Sequence, residues 1–200
     1  MLWGGQNEGL EIRTEGGATR LRASFPYGRE TTLSEGGPGG TARKEVFAAR
    51  AFAQRIEAGQ EIHLLSGHDY EKPLASRSAG TLTLTDTDAA LLIEAVITPA
   101  MAAVSYVADL LAALAAGLIT GLSPGFRVAP TPGAETVEAK AGAILRTVRA
   151  AQLFEVSAVT RPAYPDAQIE ARSWNPTQGG IILPDASQTG LHRTLSRWRL

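Results

Sequence analysis

"EIHLLSGHDYEKPLASRSAGTLTLTDTDAALLIEAVIT", residues 61–98, reads as four strands in a row: EIHLLSG, LASRSAG, TLTLTD and ALLIEAVIT. Each is a short apolar or β-branched run, and Asp and Gly clusters separate them. The neighbouring text continues the pattern. Upstream, LEIRT (10–14) and TRLRASF (19–25) flank Glu-Gly-Gly and form a hairpin signal. Downstream, LITGLSPGFRVA (118–129) supplies one strand, AILRTVRAAQLFEVSAVT (143–160) two, and AQIEAR (167–172) one more.

Helical signals are few. KEVFAARAFAQRIEAG (44–59) has an imperfect apolar face of Val46, Phe47, Ala51 and Ile56, with Gly59 as its stop. Residues 99–115 form the long helix, opened by Thr98 as N-cap and Pro99 at the first position and closed by Gly117. Residues 28–43 are too rich in Gly and Pro for regular structure and read as a mobile loop. Many short strands with few helices predict an α+β fold: an antiparallel β-barrel core with a few surrounding helices. The domain covers 1–172, and a change to turn residues and a basic end marks 173–200 as a C-terminal tail.

Composition narrows the function. The 200 residues are 44% hydrophobic and 20% charged, ordinary for a chain that buries a core. A net charge of −1 carries no electrostatic footprint for nucleic acid. With no cysteine, thiolate nucleophiles and zinc–thiolate sites are excluded. The first residues lack the basic and apolar regions of a secretory signal. PAMAAVSYVADLLAALAAGLI (99–119) is long enough to span a bilayer, but it is alanine-rich and Asp109 would sit mid-membrane at a cost of roughly 3 kcal/mol. It reads as a packed helix, with no membrane partner.

Three residues bear on chemistry. Ser123 sits between an apolar strand and a Pro-Gly turn, where turn chemistry explains it as well as a nucleophile's role does. Of three histidines, His192 lies in the tail and His63 inside a strand; His68 follows Gly67 at a strand end, where catalytic groups concentrate. Asp69 follows it, and a metal site built on His63, His68 and Asp69 would lack further ligands. Glu155 is the one charge in AAQLFEVSAVT (150–160). Strand alternation puts Leu153, Glu155, Ser157 and Val159 on one face. Either that face meets solvent, or the carboxylate has a partner.

The ordered set SGHDYEKPLASRSAGTLTLTD, GLITGLSPGFRV and LFEVSAVTRPAYPDAQI resembles the prohead maturation proteases of tailed phages, prophages and related gene-transfer particles. EVFAARAFAQRI is similar to an early helix of that family, although Arg50 stands where glycine is usual. The resemblance covers roughly residues 10–170. It implies a herpesvirus-assemblin-like fold and a serine endopeptidase with Ser123 as nucleophile, His68 as general base and Glu155, ahead of Asp69, as the group that orients the base. Pro124 has no N–H for an oxyanion hole, so Gly125, a water or backbone near Thr160 and Arg161 would serve. The implied substrates are the scaffold segment of the major capsid protein and the protease itself, cut in the bacterial cytoplasm inside the immature capsid. No cofactor, metal or nucleic acid is implied, and a homodimer is consistent with the assemblin relatives. Two rivals stand beside this reading: an inactive head-assembly protein that retains the fold, and the metal-dependent hydrolase.

Overall fold

The strands of this chain pair over long distances, and those pairings decide the architecture. The structure, a computed structural model, describes residues 10–15 and 18–160. The tail at 173–200, the strand expected at 167–172 and Arg161 lie outside the described residues. In chain order come β1 (Leu10–Glu15), β2 (Ala18–Pro26), β3 (Thr31–Ser34), β4 (Ala42–Phe47), α1 (Ala53–Glu57), β5 (His63–Ser66), β6 (Asp69–Ser76), β7 (Leu82–Asp86) and β8 (Ala90–Ile97). Then follow α2 (Pro99–Ala102), α3 (Ser105–Ala115), β9 (Gly121–Val128), β10 (Glu135–Lys140), β11 (Ala143–Val148) and β12 (Ala151–Val159).

The class is α+β, mostly strands. The expected antiparallel barrel needs correcting. The described strands form three four-stranded sheets, ordered β1-β2-β8-β7, β10-β11-β4-β3 and β6-β5-β12-β9, with no closed barrel among them. Two pairings, β4 with β11 and β5 with β12, are parallel. Hairpins are antiparallel by construction, but strands so far apart in sequence are free of that constraint. The four strands of 61–98 turn out to be two hairpins in different sheets: β5–β6 in one, β7–β8 in another.

Three local expectations change as well. Residues 44–47 belong to strand β4 rather than to a helix, because β11 and β3 claim them from either side. Helix α1 begins only at Ala53, after Arg50 has taken a left-handed φ of 56°. A glycine would hold that conformation without a Cβ penalty. Residues 28–43 hold β3 and the start of β4. The long helix is broken at Ala103–Val104, although its ends are as read. Thr98 Oγ1 accepts the Met101 N–H at 3.3 Å. Gly117 closes α3, its N–H donating to Leu114 O and that of Leu118 to Ala113 O, a Schellman ending. After the break, the Tyr106 hydroxyl donates to Pro73 O at 2.7 Å, fastening α3 to β6. No helix among the described residues is long and apolar enough to cross a membrane.

One apolar core joins the sheets, with Leu21, Ile93 and Ile97 from the first, Phe47 and Val148 from the second, and Leu64, Phe126 and Leu153 from the third. Phe126 meets Phe47 edge to face at 5.1 Å between ring centroids. Such a pair contributes about 0.5–1.5 kcal/mol beyond burial. It pins β9 by its apolar face, so the alternate residues of β9 leave on the other.

Candidate active site

GLSPGFRV (121–128) alternates. Leu122 and Phe126 enter the core, and Ser123, Gly125 and Arg127 project from the opposite face. β12 lies antiparallel beside it, with Ser157 directly opposite Ser123 and Glu155 opposite Gly125. Residues so paired leave the sheet on the same side, with Cβ atoms about 4.5–5.5 Å apart. On the far side of β12, the parallel register sets His63 opposite Glu155 and Leu65 opposite Ser157.

A β-bulge between Leu153 and Glu155 makes this register work. Strict alternation would put Leu153 and Glu155 on one face. The extra residue, Phe154, shifts the phase, so Leu153 pairs with Phe126 and joins the core while Glu155 faces the other way. The Phe154 ring carries the Arg55 guanidinium at 4.3 Å and that of Arg127 at 5.4 Å.

β5 ends at Ser66 and β6 starts at Asp69, paired with it, so Gly67 and His68 are the two residues of a tight turn. Both have φ of 64°. Two-residue hairpins need positive φ at their centre, and histidine is among the side chains that tolerate it. The turn docks on β12 through consecutive amides: the Gly67 N–H donates to Ala158 O at 3.1 Å, the His68 N–H to Ser157 Oγ at 2.9 Å.

From that turn the imidazole reaches Glu155. His68 Nδ1 and Glu155 Oε1 are 2.7 Å apart, with the carboxylate accepting the ring N–H. Glu155 is 3% exposed, and its second oxygen accepts the Ser157 hydroxyl at 2.6 Å. The His68 side chain is 31% exposed, so one edge of the ring meets solvent. Ser123 is 6% exposed. Among the described residues no hydrogen bond joins its hydroxyl to the imidazole.

The other candidates sit differently. The Asp69 carboxylate accepts the Glu71 N–H at 2.9 Å and pairs with Lys72 at 3.1 Å. The Glu71 amide and then Lys72 hold it below the usual carboxylate range. His63 meets the exposed Tyr70 ring edge to face at 6.1 Å. Burial, and after it the charge of Glu155, pushes the Tyr70 phenol up. No group of three or more His, Asp or Glu among the described residues is arranged to hold a metal ion. Sequence reading passed over two residues: Ser157, although it was placed on the Glu155 face, and Gly125 as the space into which Glu155 fits.

No curated protein and no solved structure matches the chain. A family model does: the one for caudovirus prohead serine proteases covers residues 27–179, from just after β2 to beyond β12. That span holds the Gly67–His68 turn, the Ser-Pro-Gly-Phe strand and the Glu-Val-Ser strand, and it is most of the sequence. The chain belongs to the caudovirus prohead serine protease family.

Proposed function

We propose that this chain is a serine endopeptidase of prohead maturation, in which Ser123 is the nucleophile, His68 its general base and Glu155 the acid that orients the base. Its substrates are the scaffold segment of the major capsid protein and the protease itself. One observation carries the reading: a histidine on a positive-φ turn is held at 2.7 Å by a buried carboxylate, on the sheet face that also bears Ser123.

The chemistry follows from that pair. A hydroxyl is a weak nucleophile until an imidazole takes its proton. With Nδ1–H engaged by Glu155, Nε2 is the basic nitrogen. Ser123 Oγ attacks the scissile carbonyl as its proton passes to Nε2, and Glu155 stabilises the imidazolium that results. The imidazolium returns the proton to the leaving amine, and a water repeats the sequence to release the acyl group. Pro124 offers no N–H to the oxyanion, and the Gly125 N–H is a candidate donor on the same strand.

The absence of a bond between Ser123 and His68 favours a second reading, an inactive head-assembly protein that retains the fold. It ranks lower because such contacts are often loose in unliganded enzymes and tighten with substrate. Fluorophosphonate labelling of assembled particles, with peptide mapping, separates the two. The expected result is label on Ser123 and no processing of co-expressed capsid protein by Ser123→Ala. Near-normal processing by Ser123→Ala overturns the nucleophile; no label and no processing in wild-type particles favours the inactive protein.

A further inference from the structure

Ser157 faces Ser123 across the β9–β12 ladder, and the two hydroxyls differ in their hydrogen bonds. Ser157 is 0% exposed, and both sides of its Oγ are committed. It accepts the His68 backbone N–H at 2.9 Å and donates its only hydrogen to Glu155 Oε2 at 2.6 Å. Those two bonds join the turn that carries the imidazole to the carboxylate that the imidazole meets.

We propose that Ser157 is a positioning residue: its hydroxyl locks the His68 turn to the Glu155 carboxylate, fixing the ring's orientation and keeping the ring hydrogen on Nδ1. The inference rests on the reading of His68 as the base. A carboxylate has two oxygens and rotates about its last bond. With Oε2 taken by Ser157, Oε1 is left at 2.7 Å from Nδ1. The turn needs the same anchor, since a left-handed backbone is unfavourable at a non-glycine residue. At His68 that conformation is held from β12 by the bond to Ser157 Oγ, and next to it by the Gly67 N–H on Ala158 O. Buried polar groups of this kind specify one geometry when all are satisfied. A Ser157 so committed is also unavailable as a nucleophile, which leaves Ser123 as the hydroxyl of the pair free to react.

The test compares Ser157→Ala with wild type on the full chain. The direct readout is the 15N NMR signature of the His68 ring, which reports the tautomer whether or not the protein cleaves anything. In wild type the hydrogen is expected on Nδ1. In Ser157→Ala the ring signals are expected to move toward a mixture of tautomers. Fluorophosphonate labelling of Ser123 should slow by about 10- to 100-fold, the scale of a small misplacement of a reacting group. Ser157→Cys keeps the size and a weak donor; it should fall between the two, and it replaces the alanine variant if that does not fold. A folded Ser157→Ala with an unchanged His68 tautomer and labelling rate overturns the proposal, making Ser157 a packing residue. Failure of the broader reading looks different: Ser123→Ala would still process capsid protein, while the tautomer of His68 would still judge Ser157.

Discussion

Gly125 and Glu155 lie opposite each other on β9 and β12, and the Glu155 side chain fills the place where a Cβ on residue 125 would stand. That Cβ would lie 1.8 Å from Oε1, 2.6 Å from Cδ and 2.8 Å from Cγ. Glycine is needed here for space, since the φ of Gly125 is not among the positive ones. Gly125→Ala should therefore swing the carboxylate away from His68 and Ser157. Overpacking of this kind costs about 1–3 kcal/mol, while labelling of Ser123 should fall by about 100-fold or more. Melting temperature and labelling rate, measured together, check it. A labelling rate near wild type would mean that Glu155 does not need its observed position.

Histidine 68 should be tested with a residue that tolerates its backbone. Asparagine accepts a φ of 64° more readily than alanine, so His68→Asn removes the imidazole with little strain. Processing should drop by about six orders of magnitude, and combining it with Ser123→Ala should be little worse than either alone. His63→Ala loses its ring contact with Tyr70 and should process nearly normally. Equal damage from a well-folded His63→Ala would mean that the base is misassigned.

The two acids separate in the same assay. Glu155→Gln keeps the shape but can turn an N–H toward the imidazole, and turnover should fall by up to about four orders of magnitude. Asp69→Asn disturbs an exposed pairing with Lys72 and should shift stability by about 0.5 kcal/mol or less. If Asp69→Asn were dead and Glu155→Gln active, the orienting acid would be Asp69.

Asp86 gives stability a pH dependence away from the site. Its Oδ1 accepts the Tyr27 hydroxyl at 2.6 Å, and its Oδ2 is buried without a hydrogen bond among the described residues. Burial pushes its pKa up. The folded chain therefore holds the Asp86 proton more tightly than the unfolded chain. This contribution to stability is present below the unfolded pKa of about 3.9 and is lost as pH rises through the higher folded value. Asp86→Asn keeps an acceptor for Tyr27 and removes the charge. Its stability relative to wild type should grow from acid toward neutral pH in thermal melts, and a pH-independent difference would contradict the assignment.

Arg146 is a buried cation on β11, 4% exposed, at 3.0 Å from Glu45 on the parallel strand β4 and 2.6 Å from Glu135 on β10. Removing it takes away the guanidinium that both carboxylates meet. Arg146→Ala should destabilise the chain by about 3–5 kcal/mol, read by denaturant melts, with labelling of Ser123 unchanged while the protein is folded. A loss below about 1 kcal/mol would mean that the pairing contributes little to stability.

What could be read from sequence were the features that depend on near neighbours. Alternation in TLTLTD and ALLIEAVIT, the Thr98 cap and the Gly117 stop all appear where the local pattern puts them. What could not be read depends on distant partners. Residues 44–47 carry helix-compatible letters, and β3 on one side and β11, about a hundred residues later, on the other make them a strand. ETVEAK, four of whose six residues are charged or polar, gives little hint of β10 beside β11. The bulge at Phe154 is equally silent, since an alternating strand and a bulged one differ only in what lies across from them. Alternation alone would have put Leu153 on the face of the acid; its partner Phe126 takes it into the core.

The order of the third sheet also governs when its parts can meet. β12 is the central strand between β5 and β9, and the turn bearing His68 is fastened to it, so the histidine and Ser123 have no common neighbour until it is in place. It is also the last of the described strands to leave the ribosome. A nascent chain that ends before Ala151 carries the imidazole and the hydroxyl on strands that lack β12 between them. Contacts of such large sequence separation form late and slowly. The fold therefore delays assembly of the site until nearly all of the family-matched segment has been translated.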